Sequence, residues 1–345
     1  MDLQITGRTA VVTGKGKRMN APKMGRIATA LICALPALAG AAQPAAAANA
    51  YPSRPIRIIV PSPPGGGNDI MGRIGAQRLS EAWSRSVIVD NRPGAGGAIA
   101  FETVARAEPD GYTLLLGSTN LTVLPDITKV DYDPIKSFAP VSLMATSMNI
   151  LLVHPGVAAD SVKELIALAK AKPGQLLFAS SSVATSSHLA AEFFCIQAGV
   201  KMVHVPYKGA GPAITELIGG QVHMLFANPA ASIAHVKSGK LRALAVSGDK
   251  RSVIMPEVPT VAEAAIPGFE ASTWWGILAP ARTPDALITK LNAELARALT
   301  QPEALNRIAA LGADVVGGPP QKLADHLRAE IPKWRTVVRV ANIKL

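Results

Sequence analysis

Short β-branched segments alternate with longer segments of helical periodicity from residue 51 onward in this 345-residue chain. Residues 56–60 (IRIIV) have the composition of a buried strand, and residues 70–83 have apolar side chains at helical spacing. Such alternation is typical of an α/β sheet with crossover helices. We predict strands at 56–60, 87–90, 113–117, 149–154, 176–179, 202–205, 223–227, 241–247 and 274–279, and helices at 70–83, 96–107, 161–172, 186–198, 212–219, 230–238, 284–310 and 321–340.

Two of the predicted helices begin with the same motif. Residues 94–99 (GAGGAI) and 209–214 (GAGPAI) share the pattern G-A-G-x-A-I. A helix start leaves backbone N–H groups unpaired and presents the positive end of the helix dipole, so it binds anions without a charged side chain. For any single loop, the simpler interpretation is that glycine permits a tight strand-to-helix turn. Several such loops in one chain favour an anion-binding role.

The first fifty residues have the pattern of an export signal. A basic segment precedes a 16-residue apolar run over 27–42, and the triplet ANA at 48–50 fits the small-x-small cleavage rule. The run is shorter than the ~20 apolar residues of a membrane-spanning helix and contains Pro36, which favours a signal peptide over an anchor. We predict a signal peptide over 19–50 with cleavage after Ala50, and therefore a periplasmic protein.

Residues 1–18 do not fit a signal peptide. Their segment TGRTAVVTG resembles the first strand and phosphate turn of short-chain dehydrogenases, but the further glycines of that turn are missing. The one Tyr-x-x-x-Lys match, Tyr132 to Lys136, contains Pro134, so this pair cannot lie on a regular helix as the catalytic pair of that family does. We interpret residues 1–18 as a misassigned start or a fusion scar, and keep a dehydrogenase as an alternative.

The charge and the cysteine count change when the export segment is removed. The whole chain has a formal charge of +11, and its first fifty residues hold six basic residues and one acidic residue, so the remainder carries +6. That remainder has no basic run interleaved with aromatic residues, which argues against nucleic-acid binding. Cys33 leaves with the signal, and Cys195 then has no partner for a disulfide, a thiolate metal site or a redox pair. We expect no metal and no cofactor.

Five motifs of residues 51–345 resemble one known family. They are YPSRPIRIIVPSPPGGGND, NRPGAGGAIAFE, EPDGYTLLLGS, VPYKGAGPAITELIGGQV and PGFEASTWWGILAPARTP. In order and spacing they are similar to the Bug family, the extracytoplasmic solute receptors of tripartite tricarboxylate transport systems. The resemblance implies an α/β, two-lobed periplasmic binding protein of type II, a Venus flytrap with a ligand cleft between the lobes. Lobe 1 would comprise 51–148 plus 274–345, and lobe 2 would comprise 149–273, with hinge closure around the ligand.

The resemblance also implies which loops hold the solute, a carboxylate bound mainly by backbone N–H groups and ordered water. The implied ligand-binding residues are Pro64, Gly65, Gly66, Asn68, Asp69 and Ser118 in the first lobe, and Ser181, Thr185, Ser186, Gly209, Ala210 and Ala227 in the second. Asp69 has two interpretations: it stabilises the start of the helix, or it faces the amine of an amino-acid ligand.

Several residues depart from the pattern of this family. Ser182 and Ala184 occupy positions where glycine is common, and His223 and Ala227 occupy positions where aspartate is common. We expect the loss of two carboxylates to reduce the negative potential near the cleft. One hypothesis is that Ala227 favours a dianionic or bulkier ligand, and neutral drift is the alternative.

Trp274 and Trp275 lie at the return crossing between the lobes. Successive strand residues point to opposite faces of a sheet, so the two rings are expected on opposite sides. Packing at the hinge is the first interpretation of both rings, and a cleft-facing ring is the alternative for one of them.

Two classes of function are compatible with these patterns. The first is a solute-binding protein without enzymatic activity that captures an organic, aromatic or amino-acid-like carboxylate. By resemblance its partners are the membrane subunits of a tripartite transporter or a sensor kinase, and we expect a monomer. The second is a secreted hydrolase with a serine near His188, although the chain has no G-x-S-x-G elbow and no acid partner is placed by sequence. The first interpretation of His188 is a helix residue with local hydrogen bonds.

Overall fold

The computed structural model describes residues 51–344, and two mixed β-sheets organise them. The strands are β1 (Ile56–Val60), β2 (Val87–Asn91), β3 (Thr113–Ser118), β4 (Phe138–Ser147), β5 (Ile150–Val153), β6 (Leu177–Ser180), β7 (Val203–Pro206), β8 (Met224–Ala227), β9 (Arg242–Val246), β10 (Thr273–Pro280) and β11 (Asp314–Val315). The predicted signal peptide, its cleavage site and the segment 1–18 lie outside the described residues.

Helices connect the strands and cover both faces of each sheet. They are α1 (Gly67–Trp83), α2 (Ala98–Ala105), α3 (Thr119–Ile127), α4 (Val162–Ala171), α5 (Ser186–Ala198), α6 (Ala210–Ile218), α7 (Pro229–Lys237), α8 (Val261–Ala264), α9 (Asp285–Leu299), α10 (Pro302–Ala310) and α11 (Pro320–Val340), with a 3₁₀ turn at Ala95–Gly97 before α2. Over residues 51–344, no helix combines the length and the apolarity that a bilayer crossing requires.

The two sheets have the same topology. The first has the strand order β11-β4-β10-β3-β1-β2, and the second has the order β9-β5-β8-β6-β7. Three neighbouring strands are parallel in each sheet: β1, β2 and β3 in the first, and β6, β7 and β8 in the second. Next to them lies one antiparallel strand, β10 in the first sheet and β5 in the second. Apart from the short edge strand β11, each strand of one sheet therefore has a counterpart in the other. This α/β two-lobed architecture is the fold that the resemblance implied.

The carboxyl ends of the parallel strands meet where the lobes join. Across β10, Thr273 pairs with Ser147 of β4 and Trp275 pairs with Ser118 of β3, so β3 and β4 end at the same edge of the first sheet. In the second sheet the first residue of β5, Ile150, pairs with the last residue of β8. Two residues separate β4 from β5. The carboxyl edge of one sheet therefore adjoins that of the other.

Apolar side chains form a core on each face of each sheet. On the first sheet, α1, α9 and α10 pack on one face, and α2, α3 and the first half of α11 pack on the other. On the second sheet, α4, α5, α8 and the second half of α11 cover one face, and α6 and α7 cover the other. Because α11 contributes to cores of both sheets, the predicted lobe boundaries, including the assignment of 274–345 to lobe 1, stay a prediction.

The sequence patterns missed four elements. The strands β4 and β11 and the helices α3 and α8 were not predicted, and the predicted helix over 284–310 is two helices separated at residues 300–301. Pro140 lies inside β4 and Pro125 lies inside α3. Proline interrupts both the strand and the helix signal in a sequence. In the structure Pro125 lies in the last turn of α3, and Pro140 lies beside a register shift between β4 and β10.

Helix α1 packs unusually closely on β1 at Gly72. A Cβ atom at this position would lie 2.7 Å from Cγ2 of Val60. Val60 belongs to a central strand and is fully buried, so it has no free space to move into. The next glycine of the helix, Gly75, has more room, because its Cβ would lie 3.4 Å from the terminal methyl of Met144.

We expect Gly72→Ala to lower the free energy of unfolding by about 1 to 3 kcal/mol, as overpacking of a close-packed interior does. The matched control is Gly75→Ala in the same helix, which we expect to be neutral or stabilising by up to about 1 kcal/mol, because alanine has the higher helix propensity. Urea denaturation of the three proteins measures both effects. Equal stabilities for the two variants would contradict the close contact at Gly72.

Two histidines stack inside the second lobe. The ring centroids of His188 and His204 are 3.8 Å apart with an interplanar angle of 13°, and the ring of Phe178 stacks on His204 at 5.0 Å. Burial, followed by the charge of His188, lowers the pKa of His204 to about 4. The imidazole of His204 is therefore neutral in the folded protein at pH 5 and above.

This histidine makes stability sensitive to acid. Between pH 6.5 and about 4 the unfolded chain binds a proton at His204 that the folded chain does not, so the free energy of unfolding falls as the pH drops through that window. We expect His204→Phe, which keeps a ring in the stack, to lose about 1 to 2 kcal/mol less than the wild type between pH 7 and pH 5 in urea denaturation. The control is His235→Gln on α7, outside the stack, which should keep the wild-type slope. The same slope in His204→Phe would disprove the role of His204.

Candidate functional site

Six helices start at the adjoining edges of the two sheets. In the first lobe α1, α2 and α3 follow β1, β2 and β3, and in the second lobe α5, α6 and α7 follow β6, β7 and β8. Each start presents N–H groups without a partner in the helix, together with the positive end of the helix dipole. The predicted site residues lie at five of these starts, including Ala210, the exposed first residue of α6.

The loop between β1 and α1 presents its backbone to solvent. Pro64, Gly65 and Gly66 are exposed, and Gly66 directly precedes the first turn of α1. Gly65 has a φ of 89°, a left-handed conformation that glycine adopts without a steric penalty. An anion can therefore approach the N–H groups of this loop and of the helix start closely.

The Asp69 carboxylate holds this loop from the protein side. It is 3% exposed and accepts hydrogen bonds of 2.9 Å from the Gly65 N–H, Arg73 Nε and Asn91 Nδ2. Burial alone would raise the pKa of Asp69, but the hydrogen bonds from Arg73, Gly65 and Asn91 outweigh it and hold the pKa below its usual range. Its charge is thus compensated inside the protein, which supports the helix-start interpretation. A contact with a ligand amine stays a prediction.

The sequence analysis missed the partners of Asp69. Arg73 follows Asp69 at the i+4 spacing that joins side chains on one helix face, so the sequence did contain a signal for this pair. Asn91, at the end of β2, also donates to the carbonyl of Ser62 at 3.0 Å. Its role depends on β2 being adjacent to β1, which the local sequence pattern does not encode.

The predicted residues Asn68 and Ser118 both contact Trp275 of the return crossing. Its indole N–H donates to Oδ1 of Asn68 at 2.7 Å, and its backbone pairs with Ser118 across β10 and β3. Trp275 is 6% exposed, whereas Trp274 is fully buried in the core on the opposite face of the sheet. The prediction that the two rings lie on opposite faces is therefore confirmed. The indole of Trp275 links the β1–α1 loop to the return crossing.

Three hydroxyl groups form a cluster at the start of α5. Ser181 Oγ lies 3.2 Å from Thr185 Oγ1 and 3.1 Å from Ser187 Oγ, and the latter two oxygens are 3.0 Å apart. The predicted residues Ser181 and Thr185 therefore lie together, and Ser187, which was not predicted, completes the cluster. Ser186 is the first residue of α5, and its side chain has no hydrogen bond among residues 51–344. The Gly209 N–H donates to the Ser181 carbonyl at 2.8 Å, which joins the α6 start to this loop.

A serine and a histidine bond to each other in this lobe, but not as a nucleophile and its base. Ser180 Oγ lies 2.6 Å from His204 Nε2 and donates its proton to the Ser182 carbonyl, so His204 donates to the serine. Ser180 is also fully buried. Nδ1 of His188 accepts the Ala184 N–H at 3.0 Å, as the local interpretation of this histidine predicted. This geometry does not support the hydrolase alternative.

Ala184 adopts a conformation that suits glycine. Its φ is 60°, in the left-handed region that costs an L-residue about 1 kcal/mol or more. The resemblance places Ala184 at a position where glycine is common in the family. The hydrogen bond from its N–H to His188 holds the residue in this conformation.

The start of α7 contacts the other lobe. Ala227 ends β8 and is 4% exposed, and Asn228 follows as the helix cap. Asn228 Nδ2 donates to Ser147 Oγ at 2.9 Å, and Ser147 donates to the carbonyl of Gly312 at 2.7 Å. A helix start of the second lobe is therefore tied to the end of β4 and to the turn before β11.

The expectation that two missing carboxylates lie near the cleft is wrong for His223. This residue precedes β8, whereas the carboxyl end of β8 at Ala227 is the end that faces the first lobe. Four residues of strand separate them by about 13 Å. Nδ1 of His223 accepts the N–H of Leu177 at 3.0 Å, a local role that a carboxylate also fulfils. Of the two missing carboxylates, only the one at Ala227 lies at the edge in question.

The paired residues of the dehydrogenase alternative have unrelated surroundings. Tyr132 is buried and donates to the Leu121 carbonyl, and Lys136 lies in an exposed turn, so they do not share a helix face. Among residues 51–344, no group of three or more His, Cys, Asp or Glu side chains has the geometry of a metal site.

Comparison with known proteins gives consistent matches. The family described as "Tripartite tricarboxylate transporter family receptor" matches residues 71–343. Protein BugT of Bordetella pertussis is 39% identical over 315 residues, which cover 90% of this chain and 95% of BugT. A protein of Pseudomonas sp. strain P51, described as "UPF0065 protein in tcbD-tcbE intergenic region", is 39% identical over 292 residues, 84% of this chain and 87% of that protein.

Solved structures match at similar levels. Rpa4515 of Rhodopseudomonas palustris, determined with adipate, is 35% identical with a TM-score of 0.72, and the match covers 86% of this chain and 100% of Rpa4515. MatC of the same organism, determined with bound malate, is 30% identical with a TM-score of 0.69, over 84% of this chain and 100% of MatC. The chain therefore belongs to the tripartite tricarboxylate transporter family of receptors, in agreement with the resemblance of its motifs.

Proposed function

We propose that this protein is a periplasmic receptor that captures a small carboxylate between its two lobes for a tripartite transporter. The observation that carries the proposal is the set of six helix starts, three from each sheet, at two adjoining edges. Helix starts bind anions, and carboxylates are the small anions that the family name indicates. The proposal needs no catalytic group and no cofactor.

The groups at these edges are suited to a carboxylate. Gly66 and the first turn of α1 supply backbone N–H groups, and the Ser181, Thr185 and Ser187 cluster supplies hydroxyl donors from the other lobe. The negative charge of Asp69 is already paired with Arg73, so it repels an incoming anion only weakly. Charge-assisted hydrogen bonds to oriented donors of this kind are about twice as strong as neutral ones.

Two relatives support a dicarboxylate as the solute. Rpa4515 was determined with adipate and MatC with malate, and both molecules carry two carboxyl groups. One carboxylate would bind the first-lobe loop, and the other would bind the α5 and α6 starts of the second lobe. Of the twelve predicted residues, Asp69 and Ala227 would have supporting roles. The other ten, in the loops and at the helix starts, would contact the solute directly.

Hinge closure would follow from binding both lobes at once. A ligand that contacts donors on both sides favours the closed form by its differential affinity. We take the lobes as 51–148 plus 274–345 and 149–273, with the bend at the two crossings. The closed, loaded form would be recognised by the membrane subunits of the transporter or, alternatively, by a sensor kinase, and the receptor would act as a monomer.

Carboxylate binding can be read at the Trp275 indole, because this N–H bonds to Asn68 in the proposed site. We expect adipate to shift the Trp275 indole signal in ¹⁵N NMR spectra in a saturable way, and to leave that of Trp83 unchanged, since Trp83 lies at the far end of α1. Trp→Phe variants assign the signals. Absence of a Trp275 shift with adipate, malate and benzoate at 10 mM (about 10⁴ times a micromolar Kd) would contradict the proposal.

A variant at Ala227 tests the charge of the solute. We expect Ala227→Asp to weaken the binding of adipate at least about tenfold more than that of hexanoate, because a new carboxylate at this edge repels a dianion more than a monoanion. Hexanoate has the same number of carbons as adipate and one carboxylate. The matched control is Ala231→Asp on the exposed face of α7, which should leave both affinities unchanged. Equal losses for the two ligands in titration calorimetry would show that Ala227 does not determine selectivity.

Export can be tested by mass. We expect the protein recovered from the periplasmic fraction of an expressing Gram-negative cell to begin at Tyr51, because cleavage is proposed after Ala50. Intact-mass spectrometry distinguishes this chain from the full 345 residues. A cytoplasmic protein that retains Met1 and binds NAD(P) would overturn both the localisation and the proposed function.

A further inference from the structure

A cavity of about 550 Å³ lies beside the lobe junction, away from the helix starts of the proposed solute site. One wall comes from the first sheet and from α11, with Leu143, Asp314 and His326 among its residues. The other wall comes from Phe193 of α5 and from the segment around Glu270 that precedes the return crossing. We call this cavity the hinge pocket.

The floor of the hinge pocket holds one cation between two anions. Lys333 Nζ lies 2.7 Å from the Glu270 carboxylate and also bonds the carboxylate of Glu330. The second oxygen of Glu330 accepts the indole N–H of Trp334 at 2.5 Å. Three ionised groups therefore leave a net charge of −1 on the floor.

Glu270 stays ionised at pH 7, because its hydrogen-bond partners favour the carboxylate. For Glu270, burial raises the pKa, but the adjacent Lys333 and the hydrogen bonds from Ser272 outweigh it and hold the pKa below its usual range. His326 does not compensate the charge, because burial lowers its pKa and keeps the imidazole neutral.

The charged residues around the rim do not compensate the negative charge of the floor either. Asp249 and Lys250 line the pocket from the second lobe, and Asp314 and Lys322 line it from the first. Each of these pairs sums to zero, so the pocket as a whole carries one negative charge. A partly buried net charge is costly without a counter-ion.

Two groups of the pocket are accessible to an occupant. The Glu270 side chain is 35% exposed, and its carboxylate retains lone pairs beyond those used by Lys333 and Ser272. The ring of Phe193 is partly exposed and lines the same cavity. A carboxylate next to an aromatic ring is the combination that recognises organic ammonium ions, through charge-assisted hydrogen bonds and cation–π attraction.

We propose that the hinge pocket binds a small organic ammonium ion, whose N–H groups donate to Glu270 and whose charged end contacts the ring of Phe193. The ligand ammonium and Lys333 together balance Glu270 and Glu330. None of the predicted carboxylate-binding residues lines the hinge pocket, so the occupied pocket is a second site separate from the carboxylate cleft, and the proposal does not depend on the identity of the transported solute.

The test uses n-butylammonium chloride as the probe and the tryptophan indole signals as the readout. We expect the Trp334 signal to shift saturably in ¹⁵N NMR spectra, because its N–H donates to Glu330 on the pocket floor. The signals of Trp275 and Trp83 should stay unchanged. Sodium chloride and sodium butyrate at equal concentration should not move the Trp334 signal. No saturable shift of Trp334 with butylammonium, or an equal shift with sodium chloride, would overturn the proposal.

Variants locate the site. We expect Glu270→Gln to weaken butylammonium at least tenfold (about 1.4 kcal/mol), whereas Glu294→Gln, which removes a partly exposed acid of an ion pair on α9, leaves binding unchanged. Phe193→Leu keeps an apolar side chain without the π face and should weaken butylammonium binding about threefold. This variant tests the site if Glu270→Gln does not fold. Wild-type affinity in both pocket variants would exclude the site.

The outcome is independent of the carboxylate experiment. Carboxylates are read at Trp275, which bonds to Asn68, and ammonium ions are read at Trp334, which bonds to Glu330. A response of Trp334 alone would support the hinge pocket and contradict the proposed solute site. A response of Trp275 alone would support the solute site and contradict the hinge pocket.

Discussion

The short connection between β4 and β5 determines where the chemistry of this protein lies. Only Met148 and Asn149 separate the two strands, so the carboxyl edges of both sheets are held side by side. Ser247, which follows β9, bonds to the first crossing: the Asn149 N–H donates to Ser247 Oγ, and the Ser247 N–H donates to the Asn149 carbonyl. Ser247 Oγ in turn donates to the carbonyl of Ala271, just before the return crossing. Every loop that follows a parallel strand is thereby directed to the same region. Helix starts that converge in this way can bind an anion without a charged side chain.

The repeated motif G-A-G-x-A-I reflects the equivalence of the two lobes. In both lobes it follows the second parallel strand and begins the next helix. Gly94 has φ 121° and ψ 152°, and Gly209 has φ 117° and ψ 168°, a backbone region that is open essentially to glycine alone. The copies differ after this residue, because Gly96 and Gly97 add a 3₁₀ turn in the first lobe, whereas α6 starts at once in the second. The shared first glycine is thus a steric requirement of the fold.

The sequence predicts well those elements whose apolar pattern is continuous. It predicts poorly the contacts that depend on which strand lies next to which. The strand β1 and the helix α5 have the predicted bounds, because their apolar patterns are continuous. The sequence indicated the hydroxyl groups of this loop but not the contact of Ser187 with Ser181 and Thr185, because which side of the first helical turn faces the loop depends on the orientation of α5. The distance of His223 from the lobe junction could not be predicted, because it depends on the direction of β8 in the sheet, which the local sequence does not encode. The ligand-binding roles of the twelve residues stay predictions.

Helix α11 sets a condition on any motion of the lobes. Its first half places Leu323 and Leu327 in a core of the first sheet, and its second half places Trp334 and Val337 in a core of the second. A straight helix that is packed on both lobes resists a change in the angle between them. Pro332 lies between the two sets of contacts and removes one backbone hydrogen bond of the helix at that point. Bending at a proline is the least costly way for a helix to follow two bodies that rotate, so we expect closure to deform α11 at Pro332 while both cores stay packed.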